Sequence, residues 1–139
     1  PLPSSTGGPA SIQGVGSLND NVTLRATCLP PNEMGYFLAS NAVLFTPFIP
    51  PGSSGIFCLG VNSSLGRYSQ DLRDSGPGGA FSLAIDPTAV PWGGGAGAGN
   101  PLTIDVTGQT WYFQFWYRDT PPMDRNNFSD VICIDFFLP

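Results

Sequence analysis

Apolar and polar residues alternate with a period of two along much of this chain, and Gly, Pro, Asn and Asp interrupt the alternation at short intervals. Strands buried on one face and joined by tight turns produce that pattern, whereas a helix would repeat its apolar residues at three and four positions. Asn21–Cys28 sets Val22, Leu24 and Ala26 against Thr23, Arg25 and Thr27. Phe81–Ile85 and Leu102–Val106 alternate in the same way. Gly35–Ser40, Ile56–Leu59, Gly66–Gln70, Thr110–Arg118 and Asp130–Leu138 are further strand candidates, with Ile12–Val15 a weaker one. About eight strands with no helical stretch predict an all-β fold, an antiparallel β-sandwich of immunoglobulin-like or jelly-roll type.

Composition supports the same class. Gly (18) and Pro (15) are abundant, Lys is absent and Glu33 is the single Glu, so the residues that build helices are scarce. At 139 residues the chain has room for one hydrophobic core. We expect residues 1–20 to form an extended N-terminal segment and residues 21–139 a single sandwich domain. Residues 1–12 show neither the basic start nor the apolar stretch of a signal peptide, so we expect the N-terminus to be a cut inside, or an ordered part of, a longer precursor.

Charge and residue types exclude several functions. Net charge is −5 and the five cations are all Arg, which removes the electrostatic basis for binding nucleic acid. No window approaches the roughly 18 apolar residues of a membrane helix, so membrane insertion is not expected. With neither His nor Lys, the chain lacks the commonest general base, the commonest metal ligand and the Schiff-base nucleophile. The three cysteines have no CxxC spacing, which disfavours structural zinc. An enzyme is not expected; binding or building remains.

Three constellations have competing readings. Thr110–Arg118 places Trp111, Phe113, Phe115 and Tyr117 on one face, and Tyr112, Gln114, Trp116 and Arg118 on the other. A central strand buried on one side and covered by a loop on the other explains both aromatic faces. The alternative is an exposed platform of Trp92, Tyr112 and Trp116 on which sugar rings stack. Around Asp119, Asp124 and Asp130 the oxygen-bearing side chains would suit Ca²⁺, but the stretch lacks the central Gly and closing Glu of an EF-hand loop, and turn caps with an Arg ion pair are the plainer reading. No other cofactor is indicated. The glycine tract from Trp92 to Asn100 reads as a surface loop, with a ligand-gripping loop as its alternative; the Asn-X-Ser/Thr triplets at Asn21, Asn62 and Asn127 carry no functional reading.

Several motifs occur together in order: Gly35-Tyr-Phe-Leu-Ala-Ser, Phe57-Cys-Leu-Gly, Gly66-Arg-Tyr, Phe81-Ser-Leu-Ala-Ile-Asp, Gly108-Gln-Thr-Trp-Tyr-Phe-Gln-Phe-Trp-Tyr-Arg-Asp and Asn127-Phe-Ser-Asp. With the opening Ser4-Ser-Thr-Gly-Gly-Pro-Ala-Ser-Ile, the chain resembles a module that recurs in secreted multidomain proteins of planctomycetes and other environmental bacteria. The resemblance implies an extracellular, all-β, non-catalytic unit attached to or assembled on a cell surface, and a turn at Asn127. Cys28 and Cys133 both depart from the module's pattern, and the upstream Cys that would accompany Cys58 is missing. Cys28 ends an early strand and Cys133 lies in the last one; we expect them to form a disulfide closing a loop of about 105 residues. The outward-facing position of Cys133 in its strand stands against that pairing, and Cys58 would stay free for a partner chain.

The resulting expectation is a non-catalytic extracellular structural module that associates with itself, as a homo-oligomer or filament, or with other surface proteins in a sheath or matrix. The assembly segment would include Pro1, Leu2, Pro3, Ile12, Phe136, Phe137 and Leu138. A carbohydrate-binding accessory module, with glycans as partners, is the alternative.

Overall fold

Two antiparallel sheets face each other. Strands β1 (Ser11–Val15), β2 (Val22–Thr27) and β8 (Phe81–Ile85) form one, in the order β1-β2-β8. The other is five-stranded: β12 (Arg125–Asp135), β11 (Thr110–Asp119), β3 (Met34–Ser40) and β6 (Gly66–Arg67) follow in that order, and β7 (Arg73–Asp74) also pairs with β3. Two short ribbons complete the fold, β4 (Val43–Phe48) with β5 (Phe57–Leu59) and β9 (Val90–Trp92) with β10 (Leu102–Ile104). With β1, β2 and β8 on one side and β3, β6, β11 and β12 on the other, the all-β architecture is that of an antiparallel β-sandwich. This computed structural model describes residues 6–16, 21–61, 64–93, 102–120 and 125–137.

Alternation explains the packing. Trp111, Phe113, Phe115 and Tyr117 of β11 are buried with Phe37 and Ala39 of β3 and with Phe136, and Ile132 and Ile134 pack against them. Facing them are Val22, Leu24 and Ala26 of β2 with Phe81, Leu83 and Ile85 of β8. The Phe115 ring lies 4.7 Å from Phe37 and 5.3 Å from Phe81, so one aromatic cluster joins the two sheets. Each such side chain contributes about 1.5–3 kcal/mol through removal from water. Gly35 sits opposite Tyr117 because a Cβ there would meet the Phe115 ring at 2.6 Å.

Some elements meet the sequence expectations and others depart from them. The extended segment expected at residues 1–20 pairs, over Ser11–Val15, with β2 of the same chain. The backbone N–H of Ile12 donates to Asp130 Oδ1 at 2.7 Å, which fastens this edge strand to β12. Val43–Phe48 is not among the strand candidates of the sequence, yet it is a strand. Asn127, expected in a turn, lies inside β12 opposite Tyr117. A bulge between Gln114 and Trp116 allows this, and the Phe115 N–H left without a ladder partner donates instead to Ser129 Oγ at 2.9 Å.

The expected disulfide is not made, because Cys28, Cys58 and Cys133 are all free. Cys28 follows β2 of the three-stranded sheet directly, with a φ of 59°. Cys133 stands opposite Tyr112, on the face of the five-stranded sheet turned away from Cys28.

Candidate functional site

The outer face of the five-stranded sheet is apolar as well. Tyr36 pairs with Trp116 and Leu38 with Arg67, so register alone places these four side chains on the face opposite Phe37 and Phe115. Tyr36 and Trp116 are in contact, with ring centroids 4.9 Å apart and planes tilted by 36°. Phe128 of β12 joins them beyond the bulge.

The ribbon β4–β5 lies over this face as a third layer. Gln114, fully buried on β11, holds it down: its Nε2 donates to the Ile56 carbonyl and to the Ser129 carbonyl, both at 2.9 Å, and its Oε1 accepts from the Cys58 N–H at 3.2 Å. A second anchor is the connection from β4 to β5, where Ser54 N–H and Ser53 Oγ both donate to the Asn126 carbonyl. Gly55 is required beside it, since a Cβ would collide with Asn127 Oδ1 and the Phe128 N–H. Phe57 turns its ring edge to Phe128 at 5.5 Å and lies 5.8 Å from Phe48, so aromatic contacts fill the seam.

Between ribbon and sheet remains an open cleft of about 480 Å³. Tyr36, Leu38, Trp116 and Phe128 form its floor, Phe48, Pro50 and Phe57 one wall, and Val61, Leu65 and Arg67 the other side. Arg67 alone among these carries a charge. Burial pushes the Tyr36 phenol above its ordinary value, and the nearby Arg67 charge opposes that rise. The Cys58 thiol is also pushed up, chiefly by burial, so it stays protonated and is a poor nucleophile.

The expected site residues are dispersed. Trp92 packs against the core between the sheets, whereas Tyr112 and Trp116 belong to the outer cluster, so the expected sugar platform is not brought together. Only Trp116 of the three lines the cleft. Asp119 is buried and accepts from Asn127 Nδ2 at 3.2 Å, while Asp130 Oδ1 is engaged by Ile12. Asp124 lies outside the described residues, and among those residues no three His, Cys, Asp or Glu side chains converge on a metal position. Of the expected assembly segment, Ile12 and Phe136 are core residues and Phe137 is exposed. Pro1, Leu2, Pro3 and Leu138 lie outside the described residues.

Tyr36, Arg67 and the β4 stretch were not singled out by sequence reasoning, which placed Gln114 on the outer face of its strand but gave it no role. For β4 a signal existed, the nearly unbroken apolar run Val43–Ile49, but Pro47 disguised it as a break. No family model, curated protein or solved structure matches the chain.

Proposed function

We propose that this chain is a non-catalytic extracellular structural module that associates with copies of itself through β4. The observation that carries this reading is the exposure of that strand: Phe45 is 104% exposed, Ile49 52%, Val43 49% and Phe48 45%. β4 pairs with β5 only at Val43 and Phe48, so most of its backbone stands outside any described ladder. Soluble monomers rarely display so many apolar side chains side by side, and an unpaired strand edge is a template for another strand.

A second copy is the fitting partner. From Val43 to Gly55 there is no charged residue, although the whole chain carries −5. Two copies that repel elsewhere can therefore meet at this face without opposing charges, and two β4 strands laid antiparallel form a symmetric, self-complementary contact. Pro47 limits the ladder to part of the strand, which favours a bounded contact over indefinite stacking. The resemblance to secreted surface modules supports the extracellular setting.

Sedimentation velocity over a range of concentrations, with negative-stain imaging, tests the proposal. The wild-type chain should associate as concentration rises, and Phe45→Asp should remain monomeric with unchanged melting. A wild-type chain that sediments as a monomer at every concentration would overturn it.

A further inference from the structure

We infer that β1 is an exchangeable strand: the groove between β2 and β12 accepts β1 of a second copy in place of the chain's own, with Gly16 as the hinge. None of the residues involved belongs to β4 or β5, so the inference does not rest on the contact proposed above.

β1 is lightly held. It stands at the edge of its sheet and pairs with β2 along its whole length, from Ser11 opposite Thr27 to Val15 opposite Thr23. Ile12 is its one buried residue, whereas Gln13, Gly14 and Val15 are exposed. Segments with few buried apolar contacts and exposed backbone hydrogen bonds are the ones that open before the rest of a fold.

The groove is nonetheless selective about what fills it. On the β12 side, Asp130 Oδ1 accepts the Ile12 N–H at 2.7 Å, and a Cβ on Gly14 would stand 2.9 Å from Ile134 Cδ1. An incoming strand must therefore bury an apolar side chain, offer its backbone N–H to Asp130 and carry no side chain two residues later. Left empty, the groove would uncover the backbone edge of β2, which is costly unless another strand pairs with it. A second copy brings Ile12-Gln13-Gly14 in the same register. Each contact that one chain gives up is remade by the other, which makes the exchange of an identical element an accessible route to a dimer.

The connection from β1 to β2 supplies the bias. Gly16 has a φ of 131° and Asn21 a φ of 60°, and a Cβ on Gly16 would collide with the Asn21 carbonyl oxygen. Positive φ is unfavourable for a residue that carries a side chain, so Asn21 is strained. Folding β1 back onto its own β2 demands both this strain and the close approach at Gly16. A connection that runs straight on to a second copy demands neither, and short connections under strain invite exchange. Exchange requires β1 to be off its ladder, so the choice is made while the chain folds, and chains folded dilute stay closed.

The test uses the intact chain with Phe45→Asp throughout, which removes association through β4 and keeps failure of one proposal separate from failure of the other. Gly16→Ala is added to this background; it blocks the closed turn and spares the extended connection. After refolding at equal, high concentration, sedimentation velocity should show Gly16→Ala shifted towards dimer at least about tenfold relative to its parent, because Ala at such a φ penalises the closed turn alone. Chains bearing Gln13→Cys and chains bearing Arg25→Cys, exposed positions opposite each other in the ladder, are then refolded together and treated with a short bismaleimide. A link between the two introduced thiols joins two different chains by construction. Mass spectrometry should find it in the dimer, and not in chains refolded separately and mixed afterwards. A Gly16→Ala chain that folds as a monomer, or a dimer that lacks this link, would overturn the inference. Should Gly16→Ala fail to fold, the parent refolded at rising concentration decides: the link should grow with concentration, and its absence throughout would overturn the inference equally.

Discussion

Gln114 donates from Nε2 to the carbonyl of Ile56 at 2.9 Å, across 58 residues of sequence, and so joins the ribbon to the centre of the sheet. The same side chain serves Cys58 and Ser129, so one buried amide satisfies three backbone groups.

Gln114→Leu should therefore destabilise the fold by about 2–4 kcal/mol, because backbone groups at Ile56, Cys58 and Ser129 lose their buried partner. Urea unfolding measures the loss. A cost under about 1 kcal/mol would mean that water replaces the amide and that the ribbon is not held at this point.

Phe113 is fully buried and lies 6.2 Å from Phe136. Its truncation to Ala should cost about 3–5 kcal/mol, the range for a buried aromatic. The same unfolding experiment checks it, and a loss near zero would place the core on the other face of β11.

Gly35→Ala pushes a methyl group into the Phe115 ring and towards the Trp116 carbonyl, which stand 2.6 and 2.7 Å from the new Cβ. The carbonyl belongs to the ladder and cannot retreat, so a loss of about 1–3 kcal/mol is expected, as for other overpacked sites. Because Trp116 is in the cleft floor, its indole N–H chemical shift should move as well.

Alkaline pH should unfold the protein through Tyr68. Its hydroxyl is buried without a hydrogen-bond partner among the described residues, and burial, helped by Asp71 and Asp86, pushes its pKa well above the ordinary value of 10.0. Above pH of about 10 the unfolded chain releases this proton while the folded chain keeps it, so stability is complete below that pH and falls as pH rises. Tyr68→Phe should flatten the alkaline limb of a stability-versus-pH curve, and at neutral pH it should be neutral or stabilising by about 1 kcal/mol. An alkaline limb unchanged by the substitution would refute the assignment.

Period-two patterning made β2, β8 and the inner face of β11 legible, since each strand's own residues carry that signal. The strand at Val43–Phe48 was hidden by Pro47, tolerable only because β4 needs few ladder bonds on its free edge. The turn at Asn127 was implied by the resemblance, and only the bulge opposite Phe115 shows why a strand accepts that stretch. The cleft was not legible at all. Its floor depends on the register of β3, β6 and β11, and its wall on a ribbon anchored through Gln114, both long-range facts that no local pattern encodes.

The clasp between Ile12 and Asp130 has a mechanical meaning. Ile12 lies beside Asp130, and Gly14 beside Ile132 and Ile134, so β1 and β12 run side by side in the same direction. A pull on the residues before β1 and after β12 would drag the two strands past one another rather than peel them apart. Contacts loaded that way share the tension and must yield together. A module strung in an extracellular chain would then resist stretching through this seam, and cutting the Ile12–Asp130 bond should lower the unfolding force more than the equilibrium stability.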